Sequence, residues 1–255
     1  MTRRRRSNAA CLTLGLTLAI CAVGCSEAPE STPTTPEPVP DAAPRPDMAP
    51  TGIRPLDPLP GLVLSAWGAA PDDVWVAGGA RGDNGRLLAH FDGRRIQSAD
   101  APGGANLWWV WGADADHVWA CGDQGRILRR TDAGWVEEPT GLSPNTTLWG
   151  IWGASATDLW AVGGSIVAGP DQAIVLRSAG DGQWTRLRDP AFPGQGNLFK
   201  VWGTGPNDVY LVGEAGVSLH WDGARFQRRD WPEPEQLFTV HGNGDDLVLA
   251  VGGNR

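Results

Sequence analysis

Several residue types that build common active sites are scarce in this chain of 255 residues. Lysine occurs once, at Lys200, and the sequence gives it no functional role; tyrosine also occurs once, at Tyr210. The histidines have no second His or Cys at ligand spacing, which argues against a zinc site: they are His90, His117, His220 and His241. The chain lacks a Gly-x-Ser-x-Gly elbow, a P-loop and a dinucleotide fingerprint. We therefore expect no metal and no cofactor.

The N-terminus has the features of an export signal. Four arginines precede an apolar stretch, from about Ala9 to Val23, that is shorter than a typical membrane span. Residues 22–25, Ala-Val-Gly-Cys, resemble the lipobox of bacterial lipoproteins. The resemblance implies a signal peptide over 1–24 and acylation of Cys25, with an ordinary signal peptide as the alternative. Because Ser26 replaces the Asp that retains lipoproteins at the inner membrane, the resemblance favours the outer membrane.

A proline-rich tether is predicted for residues 25–60. Ser26 to Pro60 holds 11 of the 21 prolines and almost no large apolar side chain. This composition cannot offset the entropy of folding. In the polyproline conformation, at about 3.1 Å per residue, it would hold the following domain up to roughly 100 Å from the lipid.

Charge and cysteine content limit the partners and the disulfide bonds that the mature chain can have. The formal net charge is -8, and it is near -12 without residues 1–24, so nucleic acid is not an expected partner. Once the signal is removed and Cys25 is acylated, Cys121 is the remaining thiol, and no intramolecular disulfide is possible. We interpret Cys121 as a small buried hydrophobe, since valines take its place in other repeats.

Residues 61–255 contain a repeat. Five aromatic-Gly pairs are each followed, eleven residues after the aromatic residue, by a glycine that closes an apolar run. The aromatic anchors are Trp67, Trp111, Trp152, Trp202 and His241. The closing glycines are Gly78, Gly122, Gly163, Gly213 and Gly252. Successive anchors are 44, 41, 50 and 39 residues apart, a period typical of propeller blades.

Turn residues divide each unit into four short strands. Polar turns such as residues 70–73, Ala-Pro-Asp-Asp, separate the first two strands, and Asp-Gly pairs such as Asp92-Gly93 lead into the fourth. Four strands per unit form the blade of a β-propeller, so we expect an all-β fold. The predicted units lie near 61–104, 105–145, 146–195 and 196–234, with a partial unit at 235–255.

The repeats resemble the Trp-Gly-x-x-x-x-Asp-Val-Trp-Ala-Val-Gly units of many uncharacterised bacterial lipoproteins, which are similar to sialidase-like propellers with Asp boxes. Residues 178–184, Ser-Ala-Gly-Asp-Gly-Gln-Trp, resemble a degenerate Asp box. The resemblance implies a propeller fold over 61–255 and identifies no ligand. Sialidase activity would need a Tyr nucleophile, and Tyr210 takes the place of a core Trp, which argues against that activity.

Two sets of residues receive roles from the repeat. The first set is expected to fill the core between blades: Trp67, Trp75, Trp111, Trp119, Trp152, Trp160, Trp202 and Tyr210. The second set consists of acidic turn residues that form candidate loops on one face: Asp72, Asp73, Asp116, Asp158 and Asp208. A turn with two acids lacks the six to eight oxygens that calcium requires, so we predict solvated turns.

Two classes of function fit these observations. The favoured one is a lipid-anchored, non-enzymatic module of the cell envelope that presents a propeller face to a protein or a glycan. The alternative is a hydrolase or lyase that acts on cell-wall or extracellular polysaccharide, with a site in the central channel. In both cases the protein meets the membrane through its lipid.

The fifth unit contains only the first two strands of a blade. Propellers protect their sheet edges by completing a blade from both termini. Residues 52–56 offer at most one short, proline-marked strand for this purpose. We therefore expect four complete blades and a half blade, in an open or poorly closed arc of a truncated propeller.

Overall fold

The structure is a computed structural model that describes residues 59, 61–80, 86–167, 172–231, 235–244 and 247–253. The predicted signal peptide 1–24, Cys25 and the tether 25–60, apart from Leu59, lie outside the described residues. None of the described residues forms a helix with the length and hydropathy of a membrane span.

The fold is all-β, as predicted. Blade one contains β1 (Gly61–Ala70), β2 (Asp73–Ala80), β3 (Arg86–Phe91) and β4 (Ile96–Ser98). Blade two contains β5 (Leu107–Gly112), β6 (Val118–Gly122), β7 (Ile127–Thr131) and β8 (Gly134–Glu138). Blade three contains β9 (Thr146–Ser155), β10 (Asp158–Ser165), β11 (Ala173–Ser178) and β12 (Thr185–Arg186). Each blade is an antiparallel meander in sequence order.

The remaining strands form one further blade and a half blade. Blade four contains β13 (Leu198–Gly205), β14 (Asp208–Gly213), β15 (Ser218–Trp221) and β16 (Phe226–Arg228), with a 3₁₀ turn at Glu214–Gly216. The half blade contains β17 (Gln236–Gly242) and β18 (Val248–Gly253). Four four-stranded sheets and one two-stranded sheet confirm the predicted propeller of four blades plus a half blade among the described residues.

The first strands of the blades are the innermost elements. β5 contacts β1 and β9, and β13 contacts β9 and β17. Together these five strands line a central cavity. The repeat therefore places equivalent residues of consecutive blades side by side around one space.

Most apolar cores lie between consecutive blades, and one smaller cluster, Val76, Leu87 and Ala89, lies within blade one. Trp119 and Ile127 of blade two pack with Leu159 and Leu176 of blade three. Trp160 of blade three packs in the same way with residues of blade four. A unit taken alone would expose the apolar residues that its neighbour covers, as expected for a repeat protein.

The aromatic-Gly pairs of consecutive blades contact each other. In three junctions the indole of one pair lies against the glycine of the next pair: Trp67 with Gly112, Trp152 with Gly203, and Trp202 with Gly242. A Cβ added at Gly112 would come within 2.5 Å of Trp67 Cη2. The glycine is needed because any larger residue would displace the ring.

Candidate binding site at the bulged inner strands

Every inner strand has a β-bulge at the same repeat position. The pairing register with the second strand shifts around one residue in each blade: Leu64, Trp108, Trp149, Phe199 and Phe238. Each of these residues lies three positions before an aromatic anchor. A bulge redirects a side chain and increases the local twist, and bulges are frequent next to functional sites.

The closing glycines support the bulges. Leu107, just before the bulged Trp108, pairs with Gly122, and a Cβ on Gly122 would overlap the carbonyl oxygen of Asn106. The other four closing glycines approach the equivalent carbonyl in the same manner. The glycine therefore marks the place where the bulged backbone comes too close for a side chain.

The bulges bring four aromatic side chains together in what we call the aromatic row: Trp108, Trp149, Phe199 and Phe238. Ring centroids are 4.4 Å apart for Trp108 and Trp149, 5.9 Å for Trp149 and Phe199, and 5.7 Å for Phe199 and Phe238. The first three rings are half-buried, and Phe238 is 50% exposed. The row borders a cavity of about 460 Å³. The result is a continuous aromatic surface across three and a half blades.

Carboxylates next to the row hold neighbouring side chains in place. Asp123 Oδ1 accepts hydrogen bonds from Trp108 Nε1 at 2.8 Å and from Thr147 Oγ1 at 3.0 Å. Glu214 Oε1 accepts one from Asn197 Nδ2 at 2.8 Å. Both acids directly follow a closing glycine. They therefore fix the ends of the bulged strands instead of presenting a free acid.

Lys200 follows the bulged Phe199 and points into the central space. Its side chain is buried, and Nζ lies 2.7 Å from the centroid of the Trp109 ring, a close cation–π contact. Burial lowers the pKa of Lys200 to about 7, and its interaction with Cys121 opposes this shift. Burial also raises the pKa of the Cys121 thiol. Lys200 and Trp109 line both the cavity of the row and a second cavity of about 250 Å³.

The predicted core aromatics occupy two environments. Trp75, Trp119 and Trp160 are buried between blades. The anchors line the second cavity and are half-buried: Trp67, Trp111, Trp152 and Trp202. Tyr210 is half-buried and stacks on His220 at 4.5 Å between centroids. The repeat tryptophans therefore form two groups: one packs between blades, and the other lines the cavity wall.

Three of the predicted acidic turn residues pair with a basic group on the third strand of their own blade. Asp73 Oδ1 contacts His90 Nε2 at 2.6 Å, and Asp208 Oδ1 contacts His220 Nε2 at 2.6 Å. Asp158 Oδ1 accepts from Arg177 Nε at 2.9 Å. Each basic group also lies against the core aromatic residue of its blade: Trp75, Tyr210 and Trp160, respectively. These acids therefore stabilise single blades, because each one links the start of the second strand to the third strand.

The acidic turns and the aromatic row lie at opposite ends of the inner strands. The turns follow the first strand, whereas the bulges are near its start. Asp72 and Asp116 are exposed, and Asp116 is 3.8 Å from Arg130 Nη1. Among the described residues no three His, Cys, Asp or Glu side chains are grouped as a metal site would require. The structure therefore does not bring the predicted loop residues to the central cavities.

Sequence reasoning missed the row and Lys200. A signal for the row was present, since a large apolar residue stands three positions before every anchor. The bulge that exposes this residue depends on pairing register, which is not visible in the strand pattern. The burial of Lys200 depends on contacts between β5 and β13, which are distant in sequence.

Comparison with solved structures supports the propeller fold. The extracellular domain of BT4673, a candidate one-component system of B. thetaiotaomicron, aligns with 78% of this chain at 13% identity and a TM-score of 0.58. The extracellular domain of BT3049, a candidate hybrid two-component system of the same organism, aligns with 70% at 13% identity and a TM-score of 0.51. This chain spans only 27% and 26% of their respective lengths. No protein-family model and no curated protein matches the sequence.

Proposed function

We propose that this protein is a lipid-anchored propeller of the cell envelope that binds a ligand along the aromatic row without transforming it. The observation that carries the proposal is the repeated bulge, which turns an aromatic side chain toward one cavity in four consecutive units. Core packing alone would not require these rings to remain half-exposed. Aromatic faces provide large contact areas and are common in ligand sites.

A binding role fits the row better than catalysis does. The two carboxylates next to it, Asp123 and Glu214, hold Trp108, Thr147 and Asn197. A carboxylate that acts as a general acid or base must have an oxygen that can reach the ligand. The two solved extracellular domains share the propeller-like fold with this chain, and the binding role of the row is our own proposal.

Attachment to the membrane belongs to the same proposal. Acylation at Cys25 with more than one acyl chain would anchor the mature chain, since a single acyl chain binds a membrane only marginally. The tether 25–60 would hold the propeller away from the lipid. Outer-membrane placement rests on Ser26, which replaces the inner-membrane retention signal.

The test compares two tryptophan variants of the full chain. Trp149→Leu removes a ring from the row but keeps an apolar side chain. Trp231→Leu is the control, because Trp231 is 58% exposed and lies outside the row. Each protein is screened against immobilised envelope glycans and envelope proteins. Trp149→Leu should weaken binding about tenfold or more, whereas Trp231→Leu should leave binding nearly unchanged.

Two results would contradict the proposal. One is equal binding by both variants and the parent chain, which would separate the row from recognition. The other is ligand turnover that requires residues in the central cavities, which would indicate a hydrolase or lyase instead. Melting of each variant is recorded so that a loss of binding is not confused with a loss of fold.

A further inference from the structure

Lys200 is the one lysine of the chain, and it is buried where the two central cavities meet. The side chain is 7% exposed. Within the described part of the chain it has no ion pair or hydrogen bond with a carboxylate, and its close partner is the face of Trp109. Of the other titratable groups, His241 shares the second cavity and Cys121 lies near enough to interact.

A buried ammonium group without an anion is energetically unfavourable. Transfer of the ammonium group from water carries a desolvation penalty, and a cation–π contact recovers only part of it. The two acids next to the row, Asp123 and Glu214, are engaged with other side chains. An anionic ligand that enters the cavity would therefore supply the partner that the described residues do not.

The surroundings of Lys200 restrict what that ligand can be. The cavity of the row is lined by apolar and aromatic side chains, with Lys200 and Thr239 as its polar members. A peptide would bring an N–H and a C=O group at every residue, and each needs a partner when buried. A sugar ring can place its C–H face on an aromatic ring and keep its hydroxyl groups toward water.

We propose that Lys200 and Trp109, together with the aromatic row, recognise the carboxylate of an acidic sugar residue in a glycan. The carboxylate pairs with Nζ while the sugar ring lies on the row. This inference rests on the proposed function and names the ligand class for the same site. Because the chain has a formal net charge of -8, one lysine suits a glycan with isolated acids better than a polyanion.

The experiment uses the fact that a single lysine gives a single signal. The full chain is produced with lysine labelled with ¹³C at Cε, and the Lys200 resonance is followed as a function of pH. The probes are methyl β-D-glucuronoside, its neutral methyl ester, and an acetylated aspartate peptide. Without a ligand, we expect a pKa for Lys200 of about 7.

The glucuronoside should raise this pKa by about one unit, which corresponds to about tenfold tighter binding to the protonated amine. The methyl ester should perturb the resonance without shifting the pKa. Lys200→Met, which keeps side-chain length without charge, should bind acid and ester equally. Lys200→Arg should retain a preference for the acid.

Three results would overturn the inference: no pKa shift with the glucuronoside, the same shift with its ester, or a larger shift with the peptide. Trp149→Leu separates the two proposals. If acid and ester bind equally and both depend on Trp149, the proposed function stands and the carboxylate site fails. If Trp149→Leu keeps both the pKa shift and the affinity for the glucuronoside, the pairing of the carboxylate with Lys200 stands and the row fails as the binding surface.

Discussion

The indole of Trp67 in blade one lies against Gly112 in blade two, where an added Cβ would be 2.5 Å from Cη2. This contact explains why an aromatic residue and a glycine recur together. The ring belongs to one blade, and the space for it is provided by the glycine of the next. The repeat motif thus describes a junction between units more than a feature within one unit.

Gly112→Ala is therefore expected to destabilise the propeller. The methyl group would force the Trp67 ring or the strand to move, at a cost of about 1 to 3 kcal/mol in the free energy of unfolding. Chemical denaturation measures this loss. Gly104→Ala is the matched control, because a Cβ there meets no atom within 4 Å. Similar losses for both variants would show that the contact with Trp67 is not the cause.

The buried tryptophans should be far more important for stability than exposed ones. Trp160 is 0% exposed between blades three and four, whereas Trp231 is 58% exposed. We expect Trp160→Ala to cost roughly 3 to 5 kcal/mol. Trp231→Ala should stay within about 0.5 kcal/mol of the parent chain. Thermal or chemical unfolding of both variants checks the difference, and a tolerant Trp160 site would contradict the packing described for this junction.

Lys200 should make stability depend on pH. Its pKa falls from 10.5 to about 7 on folding, so the unfolded chain binds more protons between these values and stability rises with pH. Between pH 7 and 8.5 the gain is about 1 to 2 kcal/mol. The Cys121 thiol, whose pKa is raised by burial, acts in the opposite direction at higher pH.

Lys200→Met removes the group responsible for this dependence. Urea unfolding of the variant between pH 7 and 8.5 should give a nearly constant free energy. An unchanged slope would mean that Lys200 is not the titrating group, and it would also weaken the electrostatic argument for a carboxylate ligand.

Acylation at Cys25 is testable independently of the propeller. Cys25→Ser should abolish metabolic labelling with palmitate and release the protein or block its processing. Cys121→Ser is the control, because Cys121 is buried in the folded domain. Palmitate incorporation that is unchanged in Cys25→Ser would refute lipidation at this residue.

The fold was predictable because the repeat encodes it locally. The anchor Trp111 and the closing Gly122 fix the ends of two paired strands, and Asp92-Gly93 fixes a turn in which Asp92 Oδ1 accepts backbone N–H groups. The candidate site was not predictable in the same way. The acidic turns were candidate loops because they are polar and regular, yet three of their five carboxylates, on Asp73, Asp158 and Asp208, form close ion pairs within single blades.

The row depends on long-range structure instead. Phe199 and Trp149 meet because β9 and β13 are adjacent inner strands, and the bulge in each strand sets where the side chain points. Strand periodicity alone would assign these residues to the wrong face of the sheet, because the extra residue of a bulge shifts the alternation of faces by one. Knowledge of the register was therefore needed to find the site.

The most direct test of the account is the ligand footprint on the tryptophans. The full chain with 5-fluorotryptophan gives one ¹⁹F resonance per indole, assigned by single Trp→Phe variants, and the glucuronoside probe is titrated into it. The account predicts that the resonances of Trp108, Trp149 and Trp109 move together, while those of Trp231 and buried Trp160 stay in place. Movement of Trp231 without the row, or saturable binding that leaves the row unchanged, would contradict the claim that the bulged aromatic side chains form the binding surface.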